Sequence, residues 1–510
     1  MKVLLVTYWA YPHTGGVFTY LKILQSRLEE MGHEVEMLAQ HPSLAKYYLL
    51  KNGMHIDKKP FLAKAEREVR LRFERDQIKP TPWMLWRESE KFAFELVCRE
   101  IAFDQYDVIH TQDIISTFVC RMTKPDHVPL IATIHGCLAT EWIASNEIVA
   151  RSQAEREYLS AEEYYGSMSA DFLILPSRWL SRSLLNFQVN HPRSYIIQYG
   201  LNQQYFDKIS CASDSSIKQI IIACPARLVA IKGQNYLLKA MRMLVDVRKD
   251  VVCWLIGDGV MRNDLELQTE KLGLKEHIML LGNRTDVPQL ISKTDIVVLP
   301  SLQDNLPFSI IESQSLGKPV IASRVGGIVE MIEDGVNGQL VEPGNAQDLF
   351  EKLLLLVEDT ALREEQSREA RKHALTIWND SIMIDQTIDV YEKSMKDGGH
   401  SPLWEQEYSA RLNHDFPELG GAEDVEDSVT ALKGIVTDIV AMAPVQDVWV
   451  HLIDISGFVL RSMKSDEDGS FEFQDVQPGN YELGWTRDLK RMMTKKITVT
   501  ANPITVDVMV

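Results

Sequence analysis

The chain has 510 residues, enough for three or four domains at roughly 100–200 residues each. Apolar residues make up 45% and charged residues 25%, which excludes a wholly disordered, collagen-like or coiled-coil protein. The formal net charge of −18 argues against nucleic acid as a partner, while leaving room for one local basic pocket that takes a phosphate.

The opening MKVLLVTYWAYPHTGG reads as a buried first strand, not a signal peptide. It has one basic residue, no small-residue cleavage pattern, and a Gly-Gly turn followed by a helical pattern. No apolar run reaches about 18 residues, so no transmembrane helix is expected and a cytoplasmic protein is the default. Strands are expected at 2–8, 34–39, 107–110, 130–135 and 172–176, with a helix over 17–31. Short apolar runs separated by helices point to βαβ units and a parallel sheet.

Between Lys58 and Trp86 the chain turns basic. Residues 58–79 hold eight basic and four acidic residues, with Phe61, Leu62, Val69, Leu71 and Phe73 interspersed. The first reading is an amphipathic helix packed on the sheet with a solvated charged face. The second is a peripheral contact with the anionic inner face of a membrane.

Residues 202–216, ending in SCASDSS, read as a polar interdomain linker. A second alternating set follows, with strands at 219–225, 251–256, 277–281, 296–300, 319–322 and 338–341 and helices such as 235–247 and 261–272. Helical patterns run on from 346 to about 395. Residues 397–428 read as an acidic linker, with one short helix around 403–412. From 429 to 510 the period becomes two, and seven short strands separated by turn signals indicate a β-sandwich. Phe471, Phe473 and Tyr481 are expected to face its core, and Asp466, Glu467 and Asp468 to form a solvated turn rather than a calcium site. The six cysteines have no CxxC spacing, so disulfides and structural zinc are not expected.

Three segments carry chemistry. His13-Thr-Gly-Gly16 lies between a strand and a helix, where Gly15 and Gly16 let the backbone approach a ligand and the helix start offers N–H groups to a diphosphate. PARLVAIKG, from Pro225 to Gly233, leaves the carboxyl end of a strand, where open α/β sheets bind ligands. Its Arg227 and Lys232 can offset the charge of a departing diphosphate. In LPSLQDNLPFSIIESQSLGKPVIASRVGGIVEMI, Asp304 lies in a loop and Glu312 in the helix after it, placed to accept hydrogen bonds from sugar hydroxyls. Read alone, Asp304 is equally a turn or helix-cap residue.

These motifs in this order resemble the retaining glycosyltransferases of family 4, over about residues 1–395 and most strongly from Pro225 to Gly344. The resemblance implies a GT-B fold: two doubly wound Rossmann-like domains facing a cleft, at 1–200 and 217–380, with a C-terminal helix at 381–396 packing back on the first. The all-β sandwich at 429–510 is similar to carboxypeptidase-regulatory-like or Cna-B-like domains. The implied roles are donor-diphosphate binding by Gly15, Gly16, Arg227 and Lys232, ribose binding by Glu312, and contact with the transferred sugar by Asp304 and by His135 in TIHG. Asn283 would lie where backbone contacts the base. LIGDGVMRNDL resembles the family's G-x-G segment, and Glu330 fits either a site or a surface position. Asp304 stands in place of the usual glutamate, Gly136 in place of a frequent aspartate, and YGLN at 199–202 in place of Asn-Gly-x-Asp; the last change is given no part in the site.

The expected activity is transfer of a hexose-type sugar from a UDP- or GDP-sugar to a carbohydrate or lipid-linked acceptor, with retention and without a metal or other cofactor, in polysaccharide, glycolipid or glycoconjugate assembly. The sandwich would hold a glycan or protein partner. A reading from a different class is a non-catalytic GT-B scaffold that works through the sandwich; retention of Arg227, Lys232, Asp304, Glu312 and His135 argues for the enzyme.

Overall fold

A computed structural model describes residues 1–13, 15–144, 152–209 and 219–398, and in the C-terminal part residues 430–437, 446, 448–454, 459–476, 479–486, 493–499, 504–506 and 508–509. Of the linker expected at 202–216, residues 203–207 are helical instead and 210–216 lie outside the described residues, as do nearly all of the linker at 397–428 with its helix at 403–412, and Cys211. The chain divides into two compact units, Met1–His414 and Asp415–Val510.

The first unit begins with β1 (Lys2–Ala10), α1 (Gly16–Glu30), β2 (Glu34–Gln40), β3 (Lys46–Leu49), β4 (His55–Asp57), α2 (Lys58–Arg75) and α3 (Pro82–Cys98). It continues with β5 (Val108–Thr111), α4 (Ile114–Thr123), β6 (Leu130–Thr133), α5 (Leu138–Ala144), α6 (Gln153–Met168), β7 (Phe172–Leu175), α7 (Arg178–Leu185), β8 (Ser194–Ile196) and α8 (Gln203–Asp207). The strands form one sheet in the order β4-β3-β2-β1-β5-β6-β7-β8. All neighbours are parallel except β2–β3 and β3–β4, which make an antiparallel edge. The order reverses between β1 and β5, so loops leaving the carboxyl ends of these strands diverge and open a crevice.

The second sheet comprises β9 (Ile220–Pro225), β10 (Val251–Ile256), β11 (Ile278–Gly282), β12 (Ile296–Leu299), β13 (Val320–Ser323) and β14 (Gly338–Val341). It is all parallel, in the order β11-β10-β9-β12-β13-β14, with its switch point between β9 and β12. Its strands are near-continuous apolar runs because helices cover both faces. These are α9 (Gln234–Val247), α10 (Arg262–Lys271), α11 (Val287–Ser292), α12 (Phe308–Ser315), α13 (Ala346–Glu358) and α14 (Thr360–Ile377). Short polar side chains start several of the helices: Asp113, Ser177, Asn345 and Asp359 each accept from backbone N–H groups of the following turn.

The last helix, α15 (Asp380–Asp397), returns to the first sheet. Its buried Tyr391 hydroxyl lies 2.7 Å from His110 Nδ1, and Asp380 pairs with Arg27 of α1. The crossing is tied at Trp378, whose indole N–H donates to Gln314 Oε1 at 2.6 Å and whose carbonyl accepts from Leu201 N. One apolar cluster therefore runs from Leu5 and Tyr20 in the first sheet through Phe308 and Trp378 to Tyr391.

The basic segment forms α2. Ala65, Val69 and Phe73 pack on Phe92, Ala93 and Leu96 of α3, so most of its apolar face meets α3 rather than the sheet as the sequence suggested, while Phe61 at its start also packs against the sheet's apolar cluster with Tyr47 and Leu49. Leu71 and Trp86 stay exposed. Among the described residues no helix is long and apolar enough to cross a membrane.

In the second unit, β15 (Thr430–Thr437), β16 (Trp449–Asp454), β17 (Val459–Lys464), β18 (Ser470–Val476), β19 (Gly479–Thr486), β20 (Met493–Val499), β21 (Ile504–Thr505) and β22 (Val508–Met509) form two four-stranded sheets. The expected final strand at 504–509 is two short pieces, both parallel to β15. Leu432, Val450, Phe471, Phe473, Leu483 and Trp485, from both sheets, share one apolar cluster, with Tyr481 against it. Asp466 closes an exposed turn by accepting from Asp468 N and Ser470 N.

Candidate active site

Both switch points of the first unit carry the residues singled out from sequence. After β1, Gly15 precedes the first turn of α1, and its carbonyl accepts from Thr19 N at 3.2 Å. A Cβ on Gly16 would come within 3.2 Å of the Phe308 ring, so this loop lies directly against the start of α12 in the other Rossmann-like domain. His13, beside Gly15, is pushed below the ordinary histidine range by burial and further by the positive charge of Arg227. The glycine loop and the Arg227 loop thus share one mouth.

Arg227 leaves the carboxyl end of β9 on a loop braced by backbone. Ala226 N donates to Ile256 O and Leu228 N to Asp258 O, both at 3.0 Å. Cβ atoms on Gly257 or Gly259 would lie 2.2 Å from Ala226 O and 2.4 Å from Leu228 O, so the GDG segment needs glycine to let two backbones touch. The Arg227 side chain is exposed and makes no ion pair among the described residues. Lys232 ends a short 3-10 turn, and its Nζ lies 2.5 Å from Asp304 Oδ2 in the loop after β12. Ser301 Oγ also donates to that oxygen at 3.2 Å.

Glu312 lies one turn along α12 from Phe308, on the same helix face. Its carboxylate has no hydrogen-bond partner among the described residues, and burial raises its pKa to about 7. Asn283 is exposed in the loop after β11, two strands from β9.

His135, just past the end of β6, has both ring nitrogens engaged. Nδ1 lies 2.6 Å from Tyr199 Oη and Nε2 3.1 Å from Gln112 Oε1. Because an amide oxygen only accepts, Nε2 carries the proton and Nδ1 accepts from the tyrosine. Burial lowers the pKa to about 3, so the ring is neutral at physiological pH. A sugar that takes a hydrogen bond from this ring has to displace Gln112. The His135 carbonyl accepts from Asn305 Nδ2 at 2.8 Å, which joins it to the residue next to Asp304.

Sequence reasoning missed several parts of this seam. Tyr199, in the YGLN stretch given no part in the site, stacks on Phe308 with centroids 4.8 Å apart while holding His135. Asn305 bridges Ser177 and His135. Glu330, left open as a surface residue, accepts from Arg178 N and Trp179 N at the start of α7, at 3.1 and 2.6 Å. Glu141 reaches the same mouth from α5. The only sequence signals were adjacency, Asn305 beside Asp304 and Gly136 beside His135.

Tyr199→Phe should keep the stacking and strand the buried Nδ1. Chemical denaturation is expected to show a loss of about 1–3 kcal/mol, the cost of an unsatisfied buried acceptor.

Residues 14–205 match the family model described as Glycosyltransferase Family 4, and residues 207–373 match that described as Glycosyl transferases group 1. An uncharacterized glycosyltransferase of Methanocaldococcus jannaschii is 26% identical over 417 residues, spanning 78% of this chain and 99% of that protein. The MMP alpha-(1->4)-mannosyltransferase of Mycolicibacterium hassiacum is 22% identical over 414 residues, spanning 78% and 98%. Among solved structures, Anabaena HepE in complex with UDP has the same fold, with a TM-score of 0.56, 20% identity, and coverage of 77% of this chain and all of that one.

Proposed function

We propose that this chain, built as a GT-B glycosyltransferase of the family 4 type, transfers a hexose-type sugar from a UDP- or GDP-sugar to a hydroxyl of a glycan or lipid-linked acceptor, with retention. The observation that carries this reading is the meeting of Arg227, Lys232 and Asp304 at the β9/β12 switch point, opposite the Gly15–Gly16 loop.

Arg227, Lys232 and the N–H groups opening α1 hold the diphosphate. Glu312 accepts from the ribose hydroxyls, and Asp304 from the sugar. The bond from the anomeric carbon to the phosphate oxygen lengthens, placing positive charge on the ring and negative charge on the diphosphate. The two cations stabilise the negative side, taking the part a metal ion plays elsewhere. The acceptor oxygen bonds to the anomeric carbon on the face the phosphate leaves, and its proton passes to a diphosphate oxygen. Neutral His135 lines the sugar side without adding a positive charge near the ring. The C-terminal β region binds a glycan or protein partner and takes no part in the chemistry.

Thermal unfolding with UDP, GDP and ADP tests the reading. At about 100 times its dissociation constant, the correct nucleotide should add about 2.7 kcal/mol of stability. The shift should vanish in the Arg227→Ala/Lys232→Ala variant. No shift with any nucleotide would overturn the donor site.

A further inference from the structure

We infer that Glu141 is a second sugar-reading carboxylate, set on the N-terminal domain to accept from a hydroxyl of the transferred sugar on the side opposite Asp304. The inference rests on the donor site proposed above. Glu141 lies in the first turn of α5. That turn is held from α6, where Glu163 Oε1 accepts from Ala139 N at 3.0 Å. A Cβ on Gly136 would sit 2.7 Å from Glu141 Oε1, so the carboxyl end of Glu141 occupies the space that a side chain at 136 would fill. Gly136 follows His135, whose carbonyl is bonded to Asn305, the neighbour of Asp304.

Glu141 therefore reaches over the end of β6 to the mouth shared by Asp304 and Lys232. The electrostatics agree with this placement. Glu141 is exposed as a residue, yet desolvation of its carboxyl raises its pKa, Lys232 and Arg227 lower it, and Asp304 raises it. Lys232 is already paired with Asp304, and among the described residues Glu141 makes no ion pair or side-chain hydrogen bond.

A carboxylate in this position repels a diphosphate, so it does not serve that group. Glu312 stands for the ribose on another element. The remaining part of a donor anchored by Arg227 and Lys232 is the sugar, which is neutral and rich in hydroxyl donors. Carboxylates on opposite walls accept from different hydroxyls of one ring, and such charge-assisted bonds depend on where each hydroxyl points. Glu141 then helps to set which epimer is accepted.

Two variants test this: Glu141→Gln keeps the shape and removes the charge, and Gly136→Ala pushes the flexible carboxyl end aside and leaves the charge. Calorimetric titration of the full chain would use UDP, GDP and their glucose, galactose, N-acetylglucosamine and mannose conjugates. In both variants the free nucleotide should bind no more than about threefold more weakly than wild type, and in Glu141→Gln it gains from the loss of a charge that repels the diphosphate. The extra affinity contributed by the preferred sugar should fall about tenfold, as expected for one lost bond to a charged group. Preference among the sugars should narrow with it. An unchanged sugar contribution in Glu141→Gln would overturn the inference while leaving the donor site standing. So would an equal weakening of free nucleotide and conjugate, which would mean that Glu141 acts through the cations. Failure of the wild-type protein to bind any nucleotide would overturn the donor site and this inference together.

Discussion

Glu312→Gln is expected to stabilise the ligand-free protein and to weaken its nucleotide complex. In the folded chain burial raises the Glu312 carboxyl from 4.5 to about 7, with no protein hydrogen bond to offset the loss of water. The folded state therefore binds this proton more tightly than the unfolded state. Its contribution to stability is fully present below pH 4.5 and is lost as pH rises through about 7. At pH 8 the ionised carboxylate is a net cost, and glutamine, which cannot ionise, removes it. Allowing for the part-exposed position, the gain should be about 2 kcal/mol, readable as several degrees in the unfolding midpoint. At pH 4 the two proteins should unfold together.

The ligand effect has the opposite sign. Ribose hydroxyls donate to an ionised carboxylate, so nucleotide binding favours proton release from Glu312. Affinity should be full above about pH 7 and fall as pH drops below it, by up to about tenfold per unit. In Glu312→Gln that slope should disappear and affinity at pH 8 should fall by about 10- to 100-fold, the loss of a charge-assisted pair. A variant that is more stable yet still binds nucleotide with the wild-type pH slope would remove Glu312 from the site. Stability exchanged for a poised ligand group is the trade expected at a binding site.

What the sequence made legible follows from how locally each feature is encoded. β1, β9 and β12 are apolar runs that name themselves, and the loops behind them carry the glycines and cations of the site. β3, β4 and β8 were missed because KYYL, HID and SYI are three or four residues long and partly polar. Their pairing at the sheet edges makes them strands, and their composition does not. The same limit applies to the site. Arg227, Lys232, Asp304 and Glu312 are residue types with an obvious chemistry. Tyr199, Gln112 and Asn305 are ordinary residues until the fold sets them on His135. Glu141 acquires meaning only because Gly136, six residues after the start of β6, leaves room for it.

The pairing of Lys232 with Asp304 yields the sharpest test of the cation assignment. A diphosphate entering the mouth has to compete with Asp304 for this ammonium, whereas exposed Arg227 offers its charge without such competition. Arg227→Ala and Lys232→Ala should each lower kcat/KM about 10²- to 10³-fold, the usual range for removing one group that stabilises developing negative charge. Their effects on binding free nucleotide should differ. Arg227→Ala removes one attraction. Lys232→Ala removes an attraction and also exposes the Asp304 charge, which then repels the diphosphate. Adding Asp304→Asn to Lys232→Ala should therefore restore part of the lost UDP or GDP affinity, by about tenfold, and the restoration should shrink as salt screens the repulsion. The same substitution in the wild-type background frees Lys232 and should tighten the free nucleotide, while weakening the sugar conjugate that needs the Asp304 hydrogen bond. Opposite signs for nucleotide and nucleotide-sugar in Asp304→Asn are difficult to obtain from a structural defect, which would weaken both. If Asp304→Asn weakens free nucleotide as much as its conjugate, Asp304 serves to position Lys232, and the role of contacting the sugar passes to other groups.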